Sequence, residues 1–312
     1  MSRSVEMNRA ERFTAWSSVL PLTCIALALA GLITGCPSKP QSIELKVPLQ
    51  TNTPDLDQLL EQTTKGGQAI MLLVADLGQS SDDDTARTAF EEPRMKDDSI
   101  VRVLLDIGVS RNRAEATRFH IPQTPVLLCL SSRGVIVSRD EKPITTDLVR
   151  KRMNELAPSA HQLDASLEAL EKPLATDATG LTAQLALADF LLAHHNAREA
   201  IPHLEAVAHS ESSDAPQRVR AWVSLAQAHL WVAEPEKARH EAKDLMAKLG
   251  PAQPEAMAGG NLVLGTQDAN GKRFPLARQE FEAAIAAAPK SDYARQAREA
   301  RDKLPPLPAN GE

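Results

Sequence analysis

Two short apolar runs most constrain the fold of this chain. Residues 69–75 read AIMLLVA and residues 126–130 read VLLCL. Uninterrupted apolar runs of this length, bounded by polar or proline-containing loops, are typical of strands that are buried on both faces. We therefore expect a central sheet that contains both runs.

The segments around these runs alternate between strand and helix patterns. Thr53-Pro54-Asp55 is typical of a helix start and Gly66-Gly67 of a helix end. This alternation, closed by a hairpin, predicts a small α/β domain. The other predicted elements are a candidate edge strand over 43–47, strands over 69–75, 100–105, 126–130 and 135–138, and helices over about 83–91, 112–119 and 146–156.

Part of this region resembles the thioredoxin-like family. Residues 119–121 (FHI) and 124–128 (TPVLL) resemble the family's segment around its cis-proline, and residues 132–134 (SRG) resemble the hairpin turn that follows. Asp106 ends the preceding strand, where the family often has an aspartate. The resemblance covers roughly residues 43–156 and implies a thioredoxin-like fold for residues 53–156.

The chain departs from the family at its reactive motif. Family oxidoreductases carry W-C-x-x-C after the first core strand, whereas residues 77–82 here read LGQSSD. Counting back from Phe90 puts the cysteine positions near Gln79 and Asp82, neither of which can form a thiolate. We expect a redox-inactive domain whose degenerate active-site loop consists of Gly78, Gln79, Ser80, Ser81 and Asp82.

The loop at Thr124 and Pro125 has two readings. In the resembled family this loop faces the redox site and binds extended peptide through its backbone. Here it either keeps a peptide-binding edge or is only inherited architecture.

The N-terminus carries a targeting pattern. Arginines precede an apolar segment over 13–33, and residues 33–36 read ITGC. This resembles a bacterial lipoprotein signal peptide, which implies removal of residues 1–35, lipidation of Cys36 and a tether over 36–52. The alternative is a transmembrane anchor, because the segment is near the roughly 20 residues that span a bilayer. Both readings put the rest of the chain outside the cytoplasm, in the cell envelope, facing the periplasm or the exterior.

The C-terminal half is alanine-rich and repetitive. After a connecting segment over 157–176, with a helix over 161–171, three similar units are centred on Ala200, Ala238 and Ala277, which are 38 and 39 residues apart. Leu264-Gly265, Ala277, Phe281, Ala284 and Pro289 resemble a tetratricopeptide repeat. We expect a tetratricopeptide-like array over 177–304, with a generic helical bundle as the alternative, and a disordered tail over 305–312.

Other candidate chemistry is weaker. Cys129 lies between leucines in a predicted core strand, which is typical of a buried structural thiol. The histidines 194, 195 and 203 lack further ligands, so a solvated turn is expected rather than a metal site. The aspartates at 82–84 are expected to cap a helix rather than to bind a cation. With 35 basic and 41 acidic residues, the chain lacks the positive charge of a nucleic-acid binder.

The leading functional hypothesis is a membrane-anchored protein-binding or scaffolding module with no catalytic residue, cofactor or metal and with an unidentified protein or peptide partner. The alternatives are a thiol-disulfide oxidoreductase relative that uses Cys129 or a partner's thiol, and a purely structural envelope component. Repeat arrays bind through their inner helices. The predicted groove residues are Asp189, Val223, Gln227, Leu262 and Thr266.

Overall fold

The computed structural model describes residues 50–51, 56–92, 99–121, 123–141 and 143–306. Cys36, the predicted signal peptide and the candidate strand over 43–47 lie outside these residues, as do the predicted helix start at 53–55 and residues 307–312 of the predicted tail. Within the described part of the chain, no helix is both long enough and apolar enough to cross a membrane.

The N-terminal region is an α/β unit built on a mixed sheet. Its main strands follow the predicted positions, and the two apolar runs form strands over the predicted residues. The elements are β1 (Gln50–Thr51), α1 (Leu56–Gly66), β2 (Ala69–Ala75), α2 (Ser81–Glu91), β3 (Ile100–Asp106), α3 (Ser110–Arg118), β4 (Val126–Leu130), β5 (Ile136–Glu141) and α4 (Thr146–Thr176).

The strand order is β1-β3-β2-β4-β5, with four long strands and the two-residue β1 at one edge. Strands β1, β3 and β2 run parallel, whereas β4 runs antiparallel to both β2 and β5. In the centre, Leu72 pairs with Val103 on one side and with Leu128 on the other. The two apolar runs are therefore adjacent strands, which explains why neither carries a polar face.

Side chains alternate between the two faces of the sheet and form a core on each. Ile70, Leu72 and Val74 pack with the apolar side of α1 and with Phe119. Met71 and Leu73 point to the opposite face, where helices α2 and α4 cover them. The α/β unit thus has three layers, with the sheet in the middle.

Helix α4 differs from the prediction of two separate helices. It continues from Thr146 to Thr176 through Pro158 and Pro173, so the predicted connecting segment is helical and the predicted end before Pro173 was wrong. A proline inside a helix costs about 3 kcal/mol. Buried residues recur at helical spacing on both sides of Pro158, among them Met153, Leu156 and Ala160, and their packing offsets that cost.

The C-terminal region is an all-helical domain of packed helix pairs. The pairs are α5 with α6, α7 with α8 and α9 with α10, and α11 packs on the last pair. The helices are α5 (Leu181–Ala193), α6 (Ala197–Ala208), α7 (Ala215–Trp231), α8 (Pro235–Leu249), α9 (Pro254–Asn270), α10 (Phe274–Ala287) and α11 (Asp292–Asp302).

Small residues allow the paired helices to approach closely. Ala200, Ala238 and Ala277, the centres of the three sequence units, are fully buried on the second helix of each pair. In the last pair, a Cβ atom added to Gly265 would lie only 2.6 Å from the ring of Phe281. Phe281 therefore occupies the space that the missing side chain leaves.

The hairpin between β4 and β5 joins the α/β unit to the helices. Val135 in this hairpin belongs to the core of the helical domain, together with Leu167 of α4. Ser132 donates a hydrogen bond from its hydroxyl to Asp164 of α4 at 2.8 Å, and Arg133 pairs with Glu171 of the same helix at 2.8 Å. Apolar packing and polar contacts thus both hold the hairpin against α4.

Candidate functional site

The loop after β2 is held by the end of the neighbouring strand. Asp106, the last residue of β3, accepts hydrogen bonds through its Oδ1 atom from the backbone N–H groups of Leu77 (3.3 Å) and Gly108 (2.9 Å). Gly78 has a φ of 79°, a conformation that favours glycine. Residues 78–80 of the predicted degenerate loop therefore form a defined turn, and residues 81 and 82 begin α2.

Ser80 caps α2, which corrects the prediction that the aspartates at 82–84 do so. The Ser80 hydroxyl accepts a hydrogen bond from the backbone N–H of Asp82 at 3.1 Å, and the helix begins at Ser81. The aspartates lie in the first turn, where their charge complements the helix dipole. Gln79 and Asp82 are both exposed.

Asp83 is the residue of this loop region that sequence reasoning missed. Its side chain is 1% exposed, and its Oδ2 accepts a hydrogen bond from the Thr124 hydroxyl at 3.2 Å, while its Oδ1 has no hydrogen-bond partner in the structure. The peptide bond between Thr124 and Pro125 is cis. The signal for burial of Asp83 was its helical spacing with Ala86 and Phe90, both of which are core residues.

Cys129 lies inside the sheet and is 1% exposed. Burial raises the pKa of its thiol to about 11, and the negative charge of Asp140 acts in the same direction. A thiol reacts as its thiolate, so this environment opposes reactivity near neutral pH. The oxidoreductase alternative required an exposed Cys129 with a lowered pKa, and this geometry does not meet that requirement.

The three candidate histidines, residues 194, 195 and 203, lie in different environments. The Nδ1 atom of His194 lies 3.1 Å from the carbonyl oxygen of Ile136, His195 is exposed, and His203 contacts Gln184. Among the described residues, no group of three histidine, cysteine or acidic side chains could hold a metal ion. The sequence predicted that the turn between α5 and α6 is solvated. In the structure this turn is partly buried against the β4–β5 hairpin.

Some of the predicted groove residues meet in one cavity of about 380 Å³. Val223 and Gln227 of α7 line it, together with the first turns of α9 and α11. Asp189 of α5 lies next to this cavity, because its Oδ2 pairs with Nη2 of the lining residue Arg220 at 2.5 Å. The full lining is Pro216, Arg220, Val223, Ser224, Gln227, Glu255, Ser291, Asp292, Tyr293 and Gln296.

Helical spacing brings the α7 residues to this cavity. Residues 223 and 224 follow residue 220 by three and four positions, and residue 227 follows it by seven, so all four share one face of the helix. Val223 is buried and in close contact with the neighbouring helix, since a Cβ atom on Gly259 of α9 would approach it to 2.4 Å. The cavity thus has an apolar floor and polar walls.

Tyr293, the only tyrosine of the chain, contributes an aromatic ring to the wall. Burial raises the pKa of its hydroxyl to about 12, and the negative charge of Glu255 adds to this effect, which Arg220 opposes. Burial is therefore the main cause of this shift, and the charges of Glu255 and Arg220 act in opposite directions. Neither Tyr293 nor the other lining residues from α11 were among the predicted groove positions, because those were taken from the inner helices of the repeats.

The other predicted groove residues lie elsewhere. Leu262 is 3% exposed and packs in the core with Phe281 and Ala297. The Thr266 hydroxyl donates a hydrogen bond to the Leu262 carbonyl at 2.8 Å, within its own helix. The prediction took α9 as an open inner helix, but α11 covers the face that carries Leu262.

Comparisons with known proteins do not add an assignment. No model of a known protein family matches the chain, and no curated protein is significantly similar to it.

Proposed function

We propose that this protein is a membrane-anchored protein-binding or scaffolding module of the cell envelope. In this proposal the α/β unit is a thioredoxin-like domain without the reactive dithiol, and the helix pairs form a tetratricopeptide-like array. Cys36 is the lipid anchor, and the partner is a protein or peptide that binds the helical domain.

The cavity between α7, α9 and α11 is the observation that carries the binding role. Its volume of about 380 Å³ lies near the lower end of the usual range for ligand sites, about 300–1,000 Å³. Amide and hydroxyl side chains of Ser224, Gln227 and Gln296 line it, and such groups can hydrogen-bond the backbone of an extended chain.

The fold proposal has its own support. The order of strands and helices, the cis bond before Pro125 and the buried small residue at the centre of each helix pair all agree with the resemblance stated above. The non-catalytic reading is supported by the burial of Cys129 and by the absence of cysteine from residues 77–83.

Site-specific photocrosslinking tests the binding role. A photoreactive amino acid at Gln227, inside the cavity, is compared with one at Glu282, an exposed position on α10 that does not line it. We expect discrete adducts from Gln227 in native membranes and none from Glu282. Equal labelling at both positions, or none at either, contradicts the proposal.

A reductase assay tests the non-catalytic reading. We expect the protein to show no disulfide reductase activity above that of a Cys129→Ser variant. Activity that is lost on this substitution would favour the oxidoreductase alternative, and activity that survives it would reveal another catalytic group.

A further inference from the structure

We propose that the cavity between α7, α9 and α11 accepts a lysine or arginine side chain from an extended segment of the partner, with Glu255 and Asp292 as its counter-charges. This inference rests on the proposed protein-binding function and adds the chemistry of the ligand. The inference rests on a comparison of the charged residues around the cavity: some already have an ion-pair partner, and others do not.

The cationic group at the cavity already has an acidic partner. Arg220 is the basic residue of the lining, and its guanidinium pairs with Asp189 at 2.5 Å. The pair directs Arg220 toward α5 and offsets part of its charge. An acidic ligand would therefore have to compete with Asp189 for the same guanidinium.

The acidic groups at the cavity are less well compensated. Glu255 is exposed and forms no ion pair with another described residue. Asp292 contacts Arg295 only at 3.4 Å, with 85% of its side chain exposed, while Arg295 has a closer partner in Glu299 at 2.8 Å. A cation in the cavity can thus gain two carboxylate partners without breaking a strong pair.

The helix ends do not reverse this preference. Glu255 and Asp292 lie in the first turns of α9 and α11, where their charges complement the positive ends of the helix dipoles. In addition, the Ser291 hydroxyl already accepts a hydrogen bond from the Ala294 N–H at 3.1 Å. These N-termini are therefore poor anion sites, because each already carries a carboxylate and that of α11 is also capped by Ser291.

Size and shape favour a side chain over a folded element. The cavity has space for one long side chain and a short stretch of backbone, but not for a helix about 10 Å across. Tyr293 offers an aromatic ring, which attracts a cation, and the Val223 floor can contact the aliphatic stem of lysine or arginine. The side-chain amides of Gln227 and Gln296 are then available to hydrogen-bond the backbone of the peptide.

The test uses matched alanine-rich peptides with one central residue, either lysine, norleucine or glutamate. Titrations with the tyrosine ring labelled for NMR report binding at the cavity, because the chain contains a single tyrosine. We expect the lysine peptide to shift the Tyr293 signals and to bind about two- to fivefold more tightly than the norleucine peptide, as for an exposed ion pair. The glutamate peptide should bind most weakly.

Two sets of variants test whether the preference for lysine depends on the carboxylates of Glu255 and Asp292. Glu255→Gln with Asp292→Asn should remove the advantage of lysine and leave the norleucine peptide unchanged. Glu282→Gln, which removes the same kind of charge outside the cavity, should retain the advantage. Circular dichroism establishes that each variant is folded.

The outcomes separate the two proposals. Equal binding of the lysine and norleucine peptides, with shifts at Tyr293, overturns the charge preference and leaves the binding function standing. Absence of shifts with every peptide, together with absence of crosslinks at Gln227, overturns both. A preference for lysine that persists in the double variant overturns the assignment to Glu255 and Asp292.

Discussion

Asn196, at the start of α6, donates a hydrogen bond from its side-chain amide to the backbone carbonyl of Gly134 in the β4–β5 hairpin, at 2.9 Å. Its side-chain oxygen also accepts a hydrogen bond from the N–H of Ile136 at 3.1 Å. The buried Asn196 amide thus pairs two backbone groups at the edge of the sheet. Without Asn196, the Ile136 N–H and the Gly134 carbonyl would lack these partners.

Asn196→Ala should therefore destabilise the protein. Two hydrogen bonds are lost and buried backbone groups are left without partners, so we expect a decrease of about 2–4 kcal/mol in the free energy of unfolding. Urea denaturation measures it. Arg198→Ala, at an exposed position on the same helix, is the control and should change the stability little. A loss below that of the control would show that the junction depends on apolar contacts alone.

Gly265→Ala should also be destabilising, although alanine favours helix. The added methyl group would lie 2.6 Å from the Phe281 ring and 3.2 Å from the Ala277 carbonyl oxygen. Overpacking of a core typically costs more than the roughly 1 kcal/mol gained in helix propensity, so we expect a net loss of about 1–2 kcal/mol. Thermal or urea denaturation measures this loss of stability, with Gln279→Ala at an exposed site on α10 as the control. A Gly265→Ala protein that is more stable than the unmodified protein would contradict the close packing of Gly265 against Phe281.

Cys129 should be protected from thiol reagents in the folded protein. In a chain with Cys24 and Cys36 replaced by serine, it is the only thiol. We expect negligible labelling under native conditions and complete labelling in denaturant, because the thiol is buried and its pKa is raised to about 11. Adding Gln79→Cys to the same background supplies an exposed thiol as the control. Rapid native labelling of Cys129 would support the oxidoreductase alternative.

The thioredoxin-like proposal predicts where a dithiol could be introduced. Ser80 is the N-cap of α2 and Asp83 faces Thr124, so these positions, rather than 79 and 82, match the geometry of a reactive pair. In the background without Cys24 and Cys36, Ser80→Cys with Asp83→Cys should form a reversible disulfide and gain reductase activity. The helix N-terminus favours the thiolate at position 80.

The pair Gln79→Cys with Asp82→Cys is the matched comparison. Both of its residues are exposed, whereas Asp83 is buried beside Thr124, so this pair should be less active. Equal activity of the two pairs, or higher activity of the 79/82 pair, would argue against the proposed register.

The titration of Tyr293 tests the electrostatic effect of Glu255 in the cavity. Its pKa of about 12 results first from burial and then from Glu255, compared with an ordinary value of about 10. Tyrosinate absorbance should therefore appear only well above pH 10 in the folded protein. Glu255→Gln should lower this pKa, whereas Glu282→Gln should not.

The same shift has a consequence for stability. Unfolding restores the ordinary pKa, so the unfolded chain loses the tyrosine proton first as the pH rises. The contribution of Tyr293 to the free energy of unfolding is thus complete below pH of about 10 and is lost as the pH rises toward about 12. A pH-dependent urea series on the Tyr293→Phe variant, which lacks this contribution, checks the sign.

The sequence by itself determined the layout of the chain. The apolar runs predicted β2 and β4, since an uninterrupted apolar strand is stable only when both faces are covered. The small residues at 200, 238 and 277 predicted where helices pack, because close helix approach requires them. These are local preferences for burial, and each can be read from a few neighbouring residues.

Only the tertiary structure decided how distant segments meet. Local rules ended a helix before Pro173, but packing against the sheet and α5 keeps α4 continuous. Asp83 is buried because Thr124, which is 41 positions away, lies over it, and Asn196 is buried because the hairpin, about 60 positions away, needs its amide. The cavity required α11 to fold onto α7 and α9. Such contacts depend on the positions of whole elements, which no local pattern encodes.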